Sequence, residues 1–522
     1  MNYLITNRTV KLFLFSAFIT LSACTSQPTK QFSSRFDNQP PNTHSSLTTS
    51  DAKQAQLWPR LFSLYALPEI NNARVQAEIN WYVNHPDYLN RIQQNAAPYL
   101  YFIVNEIEKR GIPGEIALLP IVESAFRPFA YSHGRAAGLW QFIPSTGKYY
   151  GLKQTWWYDG RRDVYASTHA ALSYLEKSAQ RFDGDWLLAL SAYNAGGGSV
   201  SSAIKRNLKL NKPTDFWSLN LRKETKHYAP KLLAIAHVLS HAEKYNIQLL
   251  NIPNTPYFQR VNIEKQIDLA RAAQMADISI DELYQLNPCF NQWATDPQGP
   301  HYLLVPTNKA KSFTQQLASL PDDQRIQFTR HKIQSGETLS HITTKYHSSL
   351  ALIKRANDIK GHLIRAGKYL LIPTPRYQPS RYSSSADERK KGIINTKRNG
   401  KKLVYVVKNG DSLWGIANKY HVSVRSLAKW NAMAPGDTLK AGQIINIWQT
   451  GQVVSQTSVV SQLARQHKEQ TIRYTVRTGD SLYLISRKFN VSINDLKRWN
   501  TLNKKYLKPG QKLKIIVDIT RS

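Results

Sequence analysis

A chain of 522 residues, 42% hydrophobic and 11% aromatic, is too long for one ordinary domain and too apolar to be disordered; at about 150 residues per domain it holds three or four units. Lys and Arg number 69 against 35 Asp and Glu, a net charge of +34 that attracts the protein to something anionic. There is no zinc-finger spacing, no aromatic RNA-binding signature and no basic region joined to heptads, so no nucleic acid is expected as a partner.

Residues 1–24 read as an address rather than as fold. Arg8 and Lys11 precede an apolar core from Leu12 to Thr20, then Leu21-Ser22-Ala23-Cys24. The core is short for a membrane span, which needs about 20 apolar residues. The pattern resembles the bacterial lipoprotein signal, in which a Cys behind small residues is lipidated and becomes the new N-terminus. That resemblance implies lipidation at Cys24 and, because Thr25 rather than Asp follows, sorting to the outer membrane with the protein facing the periplasm. The basic excess then suits an anionic wall or envelope surface. Residues 25–55, rich in Ser, Thr, Gln, Asn and Pro, read as a flexible tether. With Cys24 consumed, Cys289 stands alone and reads as a packed small hydrophobe.

Residues 56–250 form a compact helical domain. Apolar side chains at Ile92, Ala96, Tyr99, Leu100, Ile103, Val104 and Ile107 predict a helix over 89–110, stopped by Gly111-Ile112-Pro113-Gly114. Further helices are expected over 163–182, 185–194 and 228–244. Between them, the run Ile116 to Val122 ends on Glu123. A carboxyl closing so apolar a run, with Leu119 and Phe126 as expected helical neighbours, has its charged form disfavoured. That is what an acid needs if it is to protonate a leaving oxygen near neutral pH. An isolated Glu at a helix end is more often a cap or an ion partner. Two further segments bear on it: Gly138-Leu139-Trp140-Gln141, and Ala192-Tyr193-Asn194-Ala195-Gly196 at an abrupt helix end. Both offer amide and phenol groups suited to sugar hydroxyls and N-acetyl groups.

Beyond 330 the chain repeats itself. Three segments, 331–374, 403–448 and 472–517, share a strand, a Gly turn, two short helices and a closing strand. The turns read Gly336-Glu337-Thr338, Gly410-Asp411-Ser412 and Gly479-Asp480-Ser481. The Asp-Ser pairs are expected to cap the first helix, Ser423 and Ser492 the second, and Asn431 and Asn500 to close it. The units resemble LysM modules, which implies binding to GlcNAc-containing glycans. The first departs from the pattern at Glu337-Thr338. Residues 259–306 read as a degenerate relative that lacks the turn. Linkers are expected at 307–330, partly helical, and at 374–402 and 449–470.

Glu123-Ser124, Gly138 to Gln141, Ala192 to Gly196 and Glu224-Thr225-x-x-Tyr228, in this order, resemble the soluble-lytic-transglycosylase (SLT) family, and most closely its membrane-bound murein transglycosylase D type. The resemblance covers roughly 85–245. It implies a multidomain chain: a mainly α, lysozyme-like (goose-type) catalytic domain followed by small βααβ LysM modules. It also implies that Glu123 is the catalytic acid and then base, cutting the MurNAc–GlcNAc bond of peptidoglycan to leave a 1,6-anhydro end. Ser132, Gln141, Tyr193, Asn194, Glu224 and Tyr228 would position the sugars, with Glu224 equally readable as an ion partner. No cofactor is expected, and no metal site, since the histidines show no ligand spacing. The rival readings are a muramidase on the same fold, a chitin-directed enzyme, and a non-catalytic wall-binding scaffold.

Overall fold

The computed structural model describes residues 55–449 apart from 70 and 133, and most of 469–518. The address with Cys24, the tether up to residue 54 and the stretch 450–468 lie outside the described residues, as do Thr478, Gly479 and Ser492.

The helical domain is built around one long rod. Helices α1 (Leu57–Ser63) and α2 (Ala73–Val83) lead to α3 (Pro86–Arg110). Pro86 sits in the first turn of α3, where its missing N–H leaves no bond unmade. Gly111 ends the helix at a φ of 63°, a left-handed conformation that costs glycine little. The helix begins before the expected residue 89 because its exposed first turn carries no apolar stripe. The predicted stripe from Ile92 to Ile107 is buried. Each large aliphatic side chain so buried contributes about 1.5–3 kcal/mol.

A 3-10 turn over Gly114–Leu118 runs into α4 (Leu119–Ser124). Then follow α5 (Pro144–Tyr149), α6 (Val164–Arg181), α7 (Trp186–Ala195), α8 (Gly197–Lys209) and α9 (Lys223–Ser240). Asp163 and Asp185 accept from the amides of Ala166 and Leu188 and so cap α6 and α7. Helix α9 starts and ends earlier than expected, which puts Glu224 and Tyr228 on one helix. These helices close on one core that holds Leu100, Phe126, Trp140, Leu190 and Ile235.

Next comes a first βααβ unit: β1 (Phe258–Asn262), α10 (Leu269–Met275), α11 (Ile280–Leu286) and β2 (Tyr302–Pro306), its strands antiparallel. Helix α12 (Thr307–Ala318) packs Phe313 and Leu317 onto this unit. The second unit has β3 (Gln327–Lys332), α13 (Leu339–Lys345), α14 (Leu350–Ala356) and β4 (Tyr369–Thr374). After α15 (Ala386–Asn395) the third has β5 (Lys401–Val406), α16 (Leu413–Lys419), α17 (Val424–Trp430) and β6 (Ile444–Gln449). The fourth has β7 (Glu469–Thr475), α18 (Leu482–Phe489), α19 (Ile493–Asn500) and β8 (Lys512–Asp518).

One asparagine holds each unit together. The side-chain amide of Asn287 donates to the carbonyls of Leu283 and Leu304, and its oxygen accepts the amide of Leu304 at 2.8 Å. Asn357, Asn431 and Asn500 make the same clamp to Leu371, Asn446 and Lys514. The asparagines therefore do more than close a helix: they tie it to the closing strand. The unit at 259–306 shares the clamp although it lacks the Gly turn.

The Asp-Ser pairs divide their work. Ser412 caps α16 through the Gly415 amide, whereas Asp411 accepts from the Lys408 amide and the Tyr405 hydroxyl, both at 2.7 Å. Asp480 does the same with Arg477 and Tyr474. In the unit with Glu337-Thr338, Thr338 is the cap, and Glu337 accepts from Gln334 N and from His331, each at 2.8 Å. A longer carboxylate meets a smaller ring, so the departure at Glu337 is matched across the turn.

Two stretches read as linkers are folded. In 307–330, α12 and the start of β3 are regular structure. In 374–402, Tyr382 is 1% exposed and donates to Asp268 at 2.8 Å, the same carboxylate that caps α10. The Arg389 guanidinium lies 4.5 Å from the Phe129 ring of the helical domain, and burial lowers its pKa to about 9. A Ser-, Lys- and Arg-rich stretch signals a linker by composition. One buried Tyr and one half-buried Arg are enough to dock it.

Candidate active site

Glu123 stands one residue from the end of α4. The helix cannot continue, because Ala125 and Phe126 both adopt left-handed φ, 52° and 54°. Phe126 is therefore not a helical neighbour of Glu123, as the spacing suggested; it turns under into the core and is fully buried. Two consecutive left-handed residues store strain that only a well-packed surround sustains. Ser124, also buried, donates to the carbonyls of Pro120 and Leu139, so it ties α4 to the Gly138–Gln141 segment rather than facing the cleft.

Three influences act on the Glu123 carboxyl. Burial raises its pKa, a hydrogen bond from the Tyr228 hydroxyl lowers it, and the Glu224 charge raises it again, for a result of about 7. A group so poised is protonated in a large fraction of molecules near neutrality and ionises readily once the proton is used. Glu224 is a second carboxylate in the same cleft, one of the two places the sequence left open for it. It is exposed and forms no ion pair among the described residues, so it is a cleft group rather than an ion partner.

The structure brings all six expected companions, Ser132, Gln141, Tyr193, Asn194, Glu224 and Tyr228, to one cleft with Glu123, of about 520 Å³. Their tasks differ. The Ser132 hydroxyl accepts from the amides of Gly134 and Ala136 and shapes the rim. Gln141, at a φ of 49°, spends its NH₂ on the Gly138 carbonyl at 2.8 Å, which leaves its side-chain oxygen for other donors. Tyr193 donates to the Trp140 carbonyl at 2.7 Å, so its phenol braces the site. Asn194 accepts from Thr225 and keeps its NH₂ for other partners. On the other side Glu123 lines a second hollow, of about 550 Å³, with Tyr88, Arg91 and Asn95. The carboxyl thus borders two hollows. The rim also touches the third βααβ unit: Arg135 pairs with Asp437 at 2.6 Å and donates to the Gly436 carbonyl.

Among the described residues, one His and carboxylate group brings its ligand atoms within 4.8 Å of one another: Glu69, His237 and His241. The histidines lie four apart, His237 in the last turn of α9 and His241 just past its end, a helical spacing that the sequence shows. Tyr228 is 13 residues from His241, about 20 Å along the helix, so this group stands away from Glu123. Cys289 is buried, and burial raises its thiol well above the ordinary range, as suits a packed, unreactive residue.

The sequence matches three family profiles. They are the transglycosylase SLT domain over 101–216, the lytic transglycosylase MltD LysM-like domain over 257–322, and the LysM domain over 331–373, 405–448 and 474–515. The chain is 36% identical over 405 residues to membrane-bound lytic murein transglycosylase D of Escherichia coli (strain K12), covering 75% of this chain and 86% of that one. It is 50% identical over 129 residues to a putative tributyltin chloride resistance protein of Alteromonas sp. (strain M-1), covering 24% of this chain and 62% of that one. Among solved structures, lytic transglycosylase Slt from Pseudomonas aeruginosa, an inactive mutant, is similar at 22% identity and a TM-score of 0.21, over 28% of this chain and 25% of that one.

Proposed function

The chain belongs to the membrane-bound lytic murein transglycosylase D family, a lytic transglycosylase of the cell envelope that binds peptidoglycan, and we propose that Glu123 carries both proton transfers of its reaction. The observation that carries this is the single carboxyl held at about 7 in the middle of the groove, with Tyr228 donating to it.

In the first step Glu123 gives its proton to the oxygen between MurNAc and GlcNAc, and the bond from C1 to that oxygen breaks. The C1 centre becomes oxocarbenium-like. In the second, the Glu123 carboxylate takes the proton of the C6 hydroxyl of the same MurNAc, and O6 bonds to C1. The carboxyl is restored, no water is consumed, and a 1,6-anhydro end results. Gln141 and Asn194, with their free oxygen and NH₂, suit the sugar and its N-acetyl group. Ser132, Tyr193 and Tyr228 hold the walls, and the Glu224 charge adds to the burial that keeps Glu123 protonated. The test is digestion of purified peptidoglycan and weighing of the products. Ends lighter by one water support the scheme; ends of full mass, with water added, would make the enzyme a muramidase.

The LysM array multiplies attachment. Because 374–402 is docked on the body of the protein, the informative truncation stops at residue 402. Loss of 403–522 is expected to weaken binding to insoluble peptidoglycan at least about tenfold, since linked weak sites gain far more than each alone. Cleavage of short soluble fragments should change much less. Equal loss of both would show that the array serves the catalytic step itself.

Lipidation at Cys24 with outer-membrane attachment accords with the signal at 1–24, and no helix among the described residues is long and apolar enough to cross a membrane. Cys24→Ser should move the protein from the membrane to the soluble fraction with its activity on soluble fragments intact. A variant that stays with the membrane would refute the anchor.

A further inference from the structure

Beside the cleft, past the sugar-facing groups, lies a hollow of about 420 Å³. Thr146 and Tyr174 line both, so the two spaces adjoin at these side chains. Rings mark the way: Tyr193 lies 5.1 Å from Tyr174, and Tyr174 stacks on Tyr150 at 5.2 Å.

The hollow is cationic by construction. Lys177 and Arg181 stand one turn apart on α6, both exposed. Like charges at that spacing repel one another, and neither forms an ion pair among the described residues. Arg181 is nonetheless held in place. It donates to the Ser201 hydroxyl at 3.0 Å and lies across Gly197, where a Cβ would sit 3.1 Å from its Nη1. Gly197 opens α8, a helix of 13 residues, so the positive end of that helix faces the same space. Two unpaired cations, one of them pre-organised, and a helix N-terminus converge at the end of a groove that takes a glycan.

We propose that this hollow binds a carboxylate of the peptide carried on the lactyl group of MurNAc, so that the enzyme selects peptide-bearing strands over stripped ones. The proposal rests on the reading of the cleft given above. A bound strand carries its peptide out sideways from the sugar backbone, and an acidic group on it finds here what the protein's own carboxylates leave free. Arg181 serves as the fixed fork and Lys177 as the mobile charge.

The test compares the full chain with the double variant Lys177→Gln, Arg181→Gln on two substrates: intact glycan strands, and strands stripped of peptide by an amidase. On intact strands kcat/KM should fall about tenfold, mostly through KM, the size expected for losing a charged hydrogen-bonded contact. On stripped strands, which keep only the lactyl carboxylate, it should change less than about twofold. Arg181→Lys should recover part of the loss. An equal fall on both substrates, a fall on stripped strands alone, or no fall on either would overturn the proposal. If the unaltered protein forms no anhydro ends on either substrate, the scheme for Glu123 fails instead.

Discussion

Glu123→Gln is expected to lower kcat by about three orders of magnitude or more, since one group serves as acid and as base and each role contributes about 10²–10⁴. Binding should survive, because glutamine keeps the volume and can still accept from Tyr228. The variant also carries a pH signature. Burial and Glu224 raise Glu123 from 4.5 to about 7, so the folded state binds a proton that the unfolded state has already lost across that window. A raised carboxyl costs stability as pH rises from the unfolded value through the folded one. Wild type should lose about 2 kcal/mol between pH 5 and pH 8, less than the full shift implies because the carboxyl opens on the cleft. Glu123→Gln should lose none of it, and become the more stable protein at pH 8. Wild-type activity should fall as pH rises past about 7, where the acid form disappears. Denaturant midpoints at the two pH values and a pH profile of product formation check both. Unchanged activity in the variant would end the case for Glu123.

The other large effect concerns backbone rather than chemistry. Gly138→Ala should cost about 4 kcal/mol or more and lower the melting temperature sharply, in the range reserved for backbone strain and core collision. A Cβ at this position would lie 2.1 Å from the Arg161 carbonyl oxygen, and the backbone holds a φ of 82°. The neighbour cannot yield. Arg161 is buried, paired with Asp159 at 2.8 and 2.9 Å, and donates to the carbonyls of Arg135 and Phe142. Those carbonyls flank the cleft, so any adjustment moves Gln141 as well. Gly198→Ala is the control. Nothing lies within 4 Å of its Cβ, and its change should stay within about 0.5 kcal/mol. Equal stability of the two variants would refute the argument.

Much of this was legible along the chain. The long helix ending at Gly111, the repeating Asp-Ser turns and the closing asparagines are local signals, because caps, turns and apolar periods act within a few residues. The chemistry of the site was legible as well, since Glu123, Gln141 and Tyr193-Asn194 sit in segments whose residue types suit a sugar cleft. Two readings fail for the opposite reason. Phe126 falls on the helical stripe by spacing, but periodicity does not register two left-handed residues. The 374–402 stretch reads as a linker because Tyr382 and Arg389 are too few to move its composition. The departure at Glu337 stands, but its match, His331, lies across the turn, beyond the reach of a local pattern.

Sequence alone, then, determined which elements form and which reactive groups the chain carries, through forces that reach one or two turns. Tertiary packing alone decided what those groups can do. It brought the Tyr228 hydroxyl onto Glu123 across 105 residues, buried that carboxyl until its pKa reached about 7, put Glu224 in the same cleft, and left Lys177 and Arg181 facing open space without a carboxylate. Each of these is a long-range contact whose energy depends on burial and neighbouring charge, quantities that exist only once the chain has closed on itself.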